Sequence, residues 1–240
     1  MSPLHQFMIQ KLIPIEIEGV DLSFTNSSLF MVVASILILY FFRPAVQRIW
    51  VIPNRRQASN LVVYKFIHNM VRENIGVNGY PFIPLILTLF LFIFMGNVLG
   101  MIPYGFTFTS HIIVTFALAL FLFTLATCVG FLRHGLGFFR TFLPHGTPWY
   151  VAPILVPVEI ISYFARPISL SVRLFANMMA GHTILKVFAG FVVSLGIYGG
   201  ILPLLLTTVM TGFELLVAFL QAYVFAILSC LYLKDAIDIH

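Results

Sequence analysis

Charge is what this sequence most lacks. Of its 240 residues only 9% are charged and 60% are hydrophobic, with a mean hydropathy of +1.04, whereas a soluble domain carries roughly 25% charged residues. A soluble globule is excluded. Cysteine is scarce too: Cys128 and Cys230 lie inside apolar runs, far apart, with no second Cys or His at ligand spacing. A disulfide framework and a thiolate metal site are therefore not expected, and no residue pattern calls for a cofactor. No glycine-rich loop ends in Lys-Ser or Lys-Thr, so a phosphate-cradling nucleotide site is also missing. The first apolar stretch has no cationic segment before it and no Ala-x-Ala site after it, which reads as a retained span and not a cleaved signal. Internal repeats and low-complexity tracts are absent, which argues against a self-contained transporter built from paired broken helices.

What is present is a set of long charge-free runs. Leu22 to Phe42, Asn74 to Leu132, Val187 to Phe213 and Leu215 to Leu233 each reach the roughly 20 residues that cross ~30 Å of hydrocarbon, and the second has room for two crossings. With the apolar segment from Val151, which holds Glu159, Arg166 and Arg173, this predicts an all-α integral membrane protein with about five crossings. The net charge of +5 follows topology and does not point to nucleic acid. Arg43, Arg48, Arg55, Arg56, Lys65 and Arg72 all follow the first span, whereas the first 26 residues carry Lys11 against Glu16, Glu18 and Asp21. The positive-inside rule then places the N-terminus outside and the C-terminus inside.

Residues 1–240 read as a single membrane domain. An outer segment, 1–26, precedes a first span at 27–42 that Arg43-Pro44 is expected to stop. Residues 53–76 form an amphipathic helix on the inner surface: Val63, Tyr64, Ile67, Met70, Val71 and Ile75 share one side, and Lys65, His68, Asn69, Arg72 and Glu73 the other. A two-span hairpin covers 82–132, with an outer turn at Pro103, Tyr104 and Gly105. Within it, Asn97 lies between Gly96 and Gly100, a spacing that allows close helix approach, and its amide needs a partner in hydrocarbon. The last region, 153–234, is a hairpin of two helices much longer than a bilayer is thick. Such helices must tilt steeply or break, with Arg166-Pro167 and Gly181 as places for a kink.

That hairpin holds the informative charges. An ionisable group near mid-span costs about 2.5–3.5 kcal/mol on insertion scales, which marks each as a candidate functional residue. Glu159, Arg166 and Arg173 are spaced by seven, so they share one stripe with Ser162, Ser169 and Asn177 nearby, a stripe expected to be buried. Glu214 and Gln221 likewise share a face of the last helix. The guanidinium of Arg173 cannot deprotonate, and with Glu159 and Glu214 remote along the helix or on another one, it suits an external carboxylate. His182, nine residues further, falls on the opposite side and should line a different path or meet Glu214 across the hairpin. A carboxyl group and an imidazole can both relay protons. Arg166 and Lys186 are expected to snorkel toward opposite ends.

Ile168-Ser169-Leu170-Ser171-Val172-Arg173-Leu174-Phe175-Ala176-Asn177-Met178-Met179-Ala180-Gly181-His182 strongly resembles subunit a of F-type ATP synthases. The likeness extends to Pro157-Val158-Glu159, Phe213-Glu214, Leu220-Gln221-Ala222-Tyr223 and Gly96-Asn97-Val98-Leu99-Gly100-Met101-Ile102-Pro103. The resemblance implies that Arg173 faces the membrane carboxylate of a rotating ring of c subunits, with Asn177 and Gln221 close by. It further implies that Glu159 and Glu214 line half-channels, and that His182 and Glu214 show the mitochondrial and alphaproteobacterial arrangement of a pair exchanged in other members. It implies a proton-translocating and itself non-catalytic subunit, with b-type peripheral stalk subunits and a catalytic sector elsewhere in the complex. The membrane would be a bacterial inner membrane or, as the alternative, a mitochondrial one.

Overall fold

The computed structural model describes residues 7–14, 16–17, 20–21, 23–47, 53–102, 105–135, 137–138 and 150–237. Five helices are long and apolar enough to cross a membrane by length and composition: α1 (Asn26–Gln47), α3 (Ile83–Gly100), α4 (Ile112–His134), α5 (Ala152–Ser194) and α7 (Ile201–Ile237). A sixth, α2 (Arg55–Asn74), is more polar and is not among them. The short α6 (Gly196–Gly199) turns the chain between α5 and α7. The fold is all-α in its membrane part.

Several boundaries differ from expectation. The N-terminal segment carries two small antiparallel ladders, β1 (Lys11–Ile13) with β4 (Phe24–Thr25) and, nested inside, β2 (Glu16–Ile17) with β3 (Val20–Asp21). Strands this short leave no periodic trace in a sequence. Helix α1 does not stop at Arg43-Pro44 but runs through Pro44 to Gln47. Proline deprives the helix of one N–H donor, yet the helix continues, and side chains of α2 bond to carbonyls near its end: Asn60 Nδ2 donates to the Phe41 carbonyl at 2.8 Å and Gln57 Nε2 to that of Pro44 at 3.1 Å. The start of α2 is capped by Asn54, whose side chain accepts from Arg55 N–H at 2.7 Å while Gln57 Oε1 accepts from Asn54 N–H at 3.3 Å. The stripe of α2 that the chain covers is Ile67, Met70, Val71 and Ile75; Tyr64, expected on that side, stays exposed, and Val63 is half-buried.

The main core lies where α3, α4, α5 and α7 meet, around Ile86, Ile93, Leu122, Leu174, Met178, Phe225 and Leu233. Its closeness depends on small side chains. Ala218, Ala222 and Ala226 recur every four residues on α7, all fully buried, and this small-residue stripe lets helix backbones approach. A second, smaller core joins α1 and α3 to the segment after α3, with Ala34, Leu99, Phe106 and Phe108.

Helix α5 has 43 residues and α7 has 37, or ~64 Å and ~56 Å at the usual rise, about twice the hydrocarbon thickness. Helix α5 is unbroken through Pro157, Pro167 and Gly181. Its buried residues between Pro167 and His182 are Leu170, Leu174 and Met178, spaced four apart, with Ser171 beside them, so one face packs and the other stays open.

The ends of the long helices are tied together. Thr127 Oγ1 and Tyr163 Oη lie 2.7 Å apart, linking α4 to α5, and His134 Nε2 meets the Ile237 carbonyl at 2.9 Å, linking α4 to α7.

Candidate functional site

Two groups of polar side chains form on opposite faces of α5. The buried group centres on Gly181 and His182. The Glu214 carboxylate of α7 rests against Gly181, where a Cβ would stand 2.8 Å from Oε1. A side chain at this position would require the carboxylate to shift. The adjacent His182 presents Nδ1 to Glu214 Oε1 at 3.3 Å, and both residues are 5% exposed. That contact lies at ion-pair distance without hydrogen-bond alignment, so neither Glu214 oxygen has a hydrogen-bond partner among the described residues.

The other edge of the imidazole meets a group the sequence reading passed over. Thr107 Oγ1 lies 2.9 Å from His182 Nε2. The hydroxyl donates to Nε2 when the ring proton is on Nδ1 and accepts from it when the proton is on Nε2. Thr107 belongs to the connection between α3 and α4, which was expected to be a plain outer turn. Instead Phe106, Thr107, Phe108, Thr109 and Ser110 are all buried, with Phe108–Ser110 forming one 3-10 turn. The glycines at 96 and 100, expected to bring two helices together, receive this turn: a Cβ on Gly96 would strike the Phe108 ring, and one on Gly100 would strike the Thr107 side chain. Ser110 Oγ donates to the Thr107 carbonyl at 2.6 Å and closes the turn.

Asn97 extends the cluster. Its Nδ2 donates to the Ala218 carbonyl, one turn beyond Glu214 on α7, at 3.3 Å, and its Oδ1 accepts from the Thr109 hydroxyl at 2.7 Å. From the N-terminal segment, the Phe7 ring meets the His182 ring edge-on at 6.4 Å. The hydroxyl run Thr107, Thr109, Ser110 between two apolar spans was the sequence signal for this wedge.

The second group lies on the open face of α5. Ser162, Ser169, Arg173 and Asn177 are exposed and Glu159 is half-buried. The stripe expected to be buried is left uncovered by this chain, because the Leu170, Leu174 and Met178 stripe takes the contacts to neighbouring helices. Among the described residues, Arg173, Glu159, Ser169, Asn177 and Gln221 have no side-chain hydrogen bond or ion pair, and Gln221 is half-buried on α7. Arg173 and Glu214 are not brought together. Arg166, expected to snorkel alone, is paired: Nη1 donates to Asp235 Oδ2 at 2.6 Å, and its guanidinium lies 5.7 Å from the ring centroids of both Tyr163 and Tyr232. Asp235 escaped notice because the last helix was ended at Lys234, whereas α7 continues to Ile237.

Residues 28–234 match the family model of the ATP synthase A chain. The chain is 54% identical over 239 residues to ATP synthase subunit a of Rhodospirillum rubrum, covering 100% of this chain and 99% of the relative. The same figures hold for the ATP synthase subunit a of a second Rhodospirillum rubrum source. The chain belongs to the ATP synthase A chain family.

Proposed function

We propose that this chain is the stator subunit that passes protons to and from a rotating ring of c subunits through two offset aqueous half-channels, with Arg173 as the barrier between them. The observation that carries this reading is the separation of the two polar groups on α5. A permanently charged guanidinium stands uncovered on one face, while a relay pair, His182 and Glu214, is enclosed on the other.

The positions along α5 give the path its order. His182 is nine residues, or ~14 Å, toward one end from Arg173, and Glu159 is fourteen residues, or ~21 Å, toward the other. With the N-terminus outside, the outer half-channel holds His182, Glu214, Asn97 and the Thr107 turn, beside Phe7 of the outer segment. The inner half-channel holds Glu159. A ring carboxylate arriving at Arg173 is favoured in its ionised form by the positive charge, releases its proton to one channel, and takes up another from the second channel after the ring has advanced. The same charge repels a proton that would pass straight across. Asn177, Ser169 and Gln221 flank the contact and keep it polar.

Each proton crossing 100 mV delivers ~2.3 kcal/mol, so several must cross per nucleotide made. The nucleotide chemistry takes place in the catalytic sector, which b-type stalk subunits hold against this stator. The steep tilt that helices of ~64 Å and ~56 Å require gives the ring a long face inside the bilayer.

Replacement Arg173→Ala tests the gate. ATP-driven acidification of membrane vesicles is expected to be lost while the complex still assembles and hydrolyses ATP. Undiminished acidification would remove Arg173 from the mechanism.

A further inference from the structure

A cavity of about 520 Å³ opens at the junction of α1, α2 and α3, away from both polar groups of α5, lined by Leu37, Tyr40, Phe41, Arg43, Pro44, Arg56, Ser59 and Met95. Its walls divide by chemistry. The polar part of the lining is two guanidinium groups, Arg43 and Arg56, with the Ser59 hydroxyl, all exposed. The apolar part includes Leu37, Tyr40 and Met95. Leu37 and Arg43 are six residues apart on α1, which spaces the apolar and basic parts by ~9 Å.

Two like charges lining one cavity repel each other unless something neutralises them. Among the described residues, neither Arg43 nor Arg56 has an ion pair. No lining residue is acidic, and the one carboxylate on α2, Glu73, is seventeen residues or ~26 Å along the helix from Arg56. The shape is held in place, since the Asn60 and Gln57 bonds to the Phe41 and Pro44 carbonyls clamp α2 to α1. Arg43 lies near the end of the first span and Arg56 in the first turn of α2, the depth expected for a lipid headgroup, and Leu37 is 39% and Tyr40 63% exposed, so the apolar lining is open to acyl chains.

We propose that this cavity binds an anionic phospholipid, its phosphate between Arg43, Arg56 and Ser59 and its acyl chain along Leu37, Tyr40 and Met95. A free phosphate would satisfy the basic part and leave the apolar part empty. A transmembrane helix from another subunit would fill the apolar part and leave two arginines without an anion. The ligand that meets both demands is a membrane lipid with a negative head.

The test uses the intact complex, stripped of lipid and reconstituted in vesicles of phosphatidylcholine alone or with phosphatidylglycerol, then weighed by native mass spectrometry. The wild type is expected to retain one more phosphatidylglycerol than the double variant Arg43→Gln/Arg56→Gln, with no such difference for phosphatidylcholine. The variant should need about thirtyfold more phosphatidylglycerol for equal retention, because each basic residue at an anionic surface contributes roughly fivefold. Inorganic phosphate should not displace the lipid. Equal retention by both proteins, or displacement by inorganic phosphate, overturns the proposal. A diazirine-bearing phenylalanine in place of Tyr40 decides the matter if the double variant fails to assemble: an adduct of lipid mass is expected, and capture of a peptide from another subunit overturns it.

Discussion

The imidazole of His182 is held between a carboxylate and a hydroxyl, and removing the hydroxyl alone is an informative perturbation. Thr107→Val keeps the shape of a side chain that is 1% exposed and deletes the hydroxyl partner of Nε2. A buried polar group left without its partner costs about 1–3 kcal/mol, which is roughly a five- to hundred-and-fifty-fold change in population. That cost falls on either tautomer, since the hydroxyl can donate to Nε2 or accept from Nε2–H, and it loosens the hold on the imidazole beside Glu214. The expected result is a proton-pumping rate reduced by one to two orders of magnitude in Thr107→Val vesicles, with assembly retained. Thr107→Ser, which keeps the hydroxyl and loses only a methyl, should recover most of the rate. The assay is ATP-driven acidification followed by a pH-sensitive dye, paired with 15N NMR of labelled histidine, where the Nε2 signal of His182 should shift on loss of its hydrogen bond in the valine variant alone. In a His182→Ala background the valine substitution should have little further effect, since its partner is already gone. Full pumping by Thr107→Val, or equal losses from valine and serine, would refute a positioning role for Thr107.

The two glycines of α5 make a contrasting pair. Gly181→Ala places a methyl 2.8 Å from Glu214 Oε1, so thermal stability should fall by about 1–3 kcal/mol and pumping with it. Gly190→Ala meets nothing within 4 Å and should be neutral or stabilising by up to ~1 kcal/mol through helix propensity; equal effects of the two would contradict the packing described. Near the end of α7, Asp235→Asn should lower the melting temperature only slightly and leave pumping intact, because its pair with Arg166 is 33% and 47% exposed and such pairs contribute at most about 1 kcal/mol. Arg166→Ala should cost more, since it also loses the contacts with the Tyr163 and Tyr232 rings; a thermal melt that reverses this order would count against the assignment.

The architecture was legible wherever it rests on long-range composition. Charge-free runs located the crossings, and the length of the last two showed that they exceed a bilayer. Heptad spacing put Arg173 on one face of α5 and the nine-residue step put His182 on the other, and the structure sets His182 against Glu214. What spacing could not show is any contact whose partners are remote in sequence. Thr107 and His182 are 75 residues apart, and Arg166 and Asp235 are 69 apart. The buried wedge of Phe106 to Ser110 was read as a loop because short polar segments between apolar spans usually are loops, and the glycines that receive it look the same as glycines that receive a helix. The run through Pro44 departs from the usual stop at proline, and the bonds that α2 makes to the end of α1 join residues 13 and 19 apart, beyond what local spacing shows. The open face of α5 is a different matter: a polar stripe inside a membrane reads as buried, and this chain does not say by itself what covers it.

That covering surface is the centre of the account. A diazirine-bearing residue at Ala176, exposed and three residues beyond Arg173 on the open face, can be photolysed in the intact complex and its adduct sequenced. The account predicts capture of a ring subunit, at a peptide that carries a carboxylate in the middle of its membrane span. Capture of lipid alone, or of a subunit with no such carboxylate, would contradict the role given to Arg173.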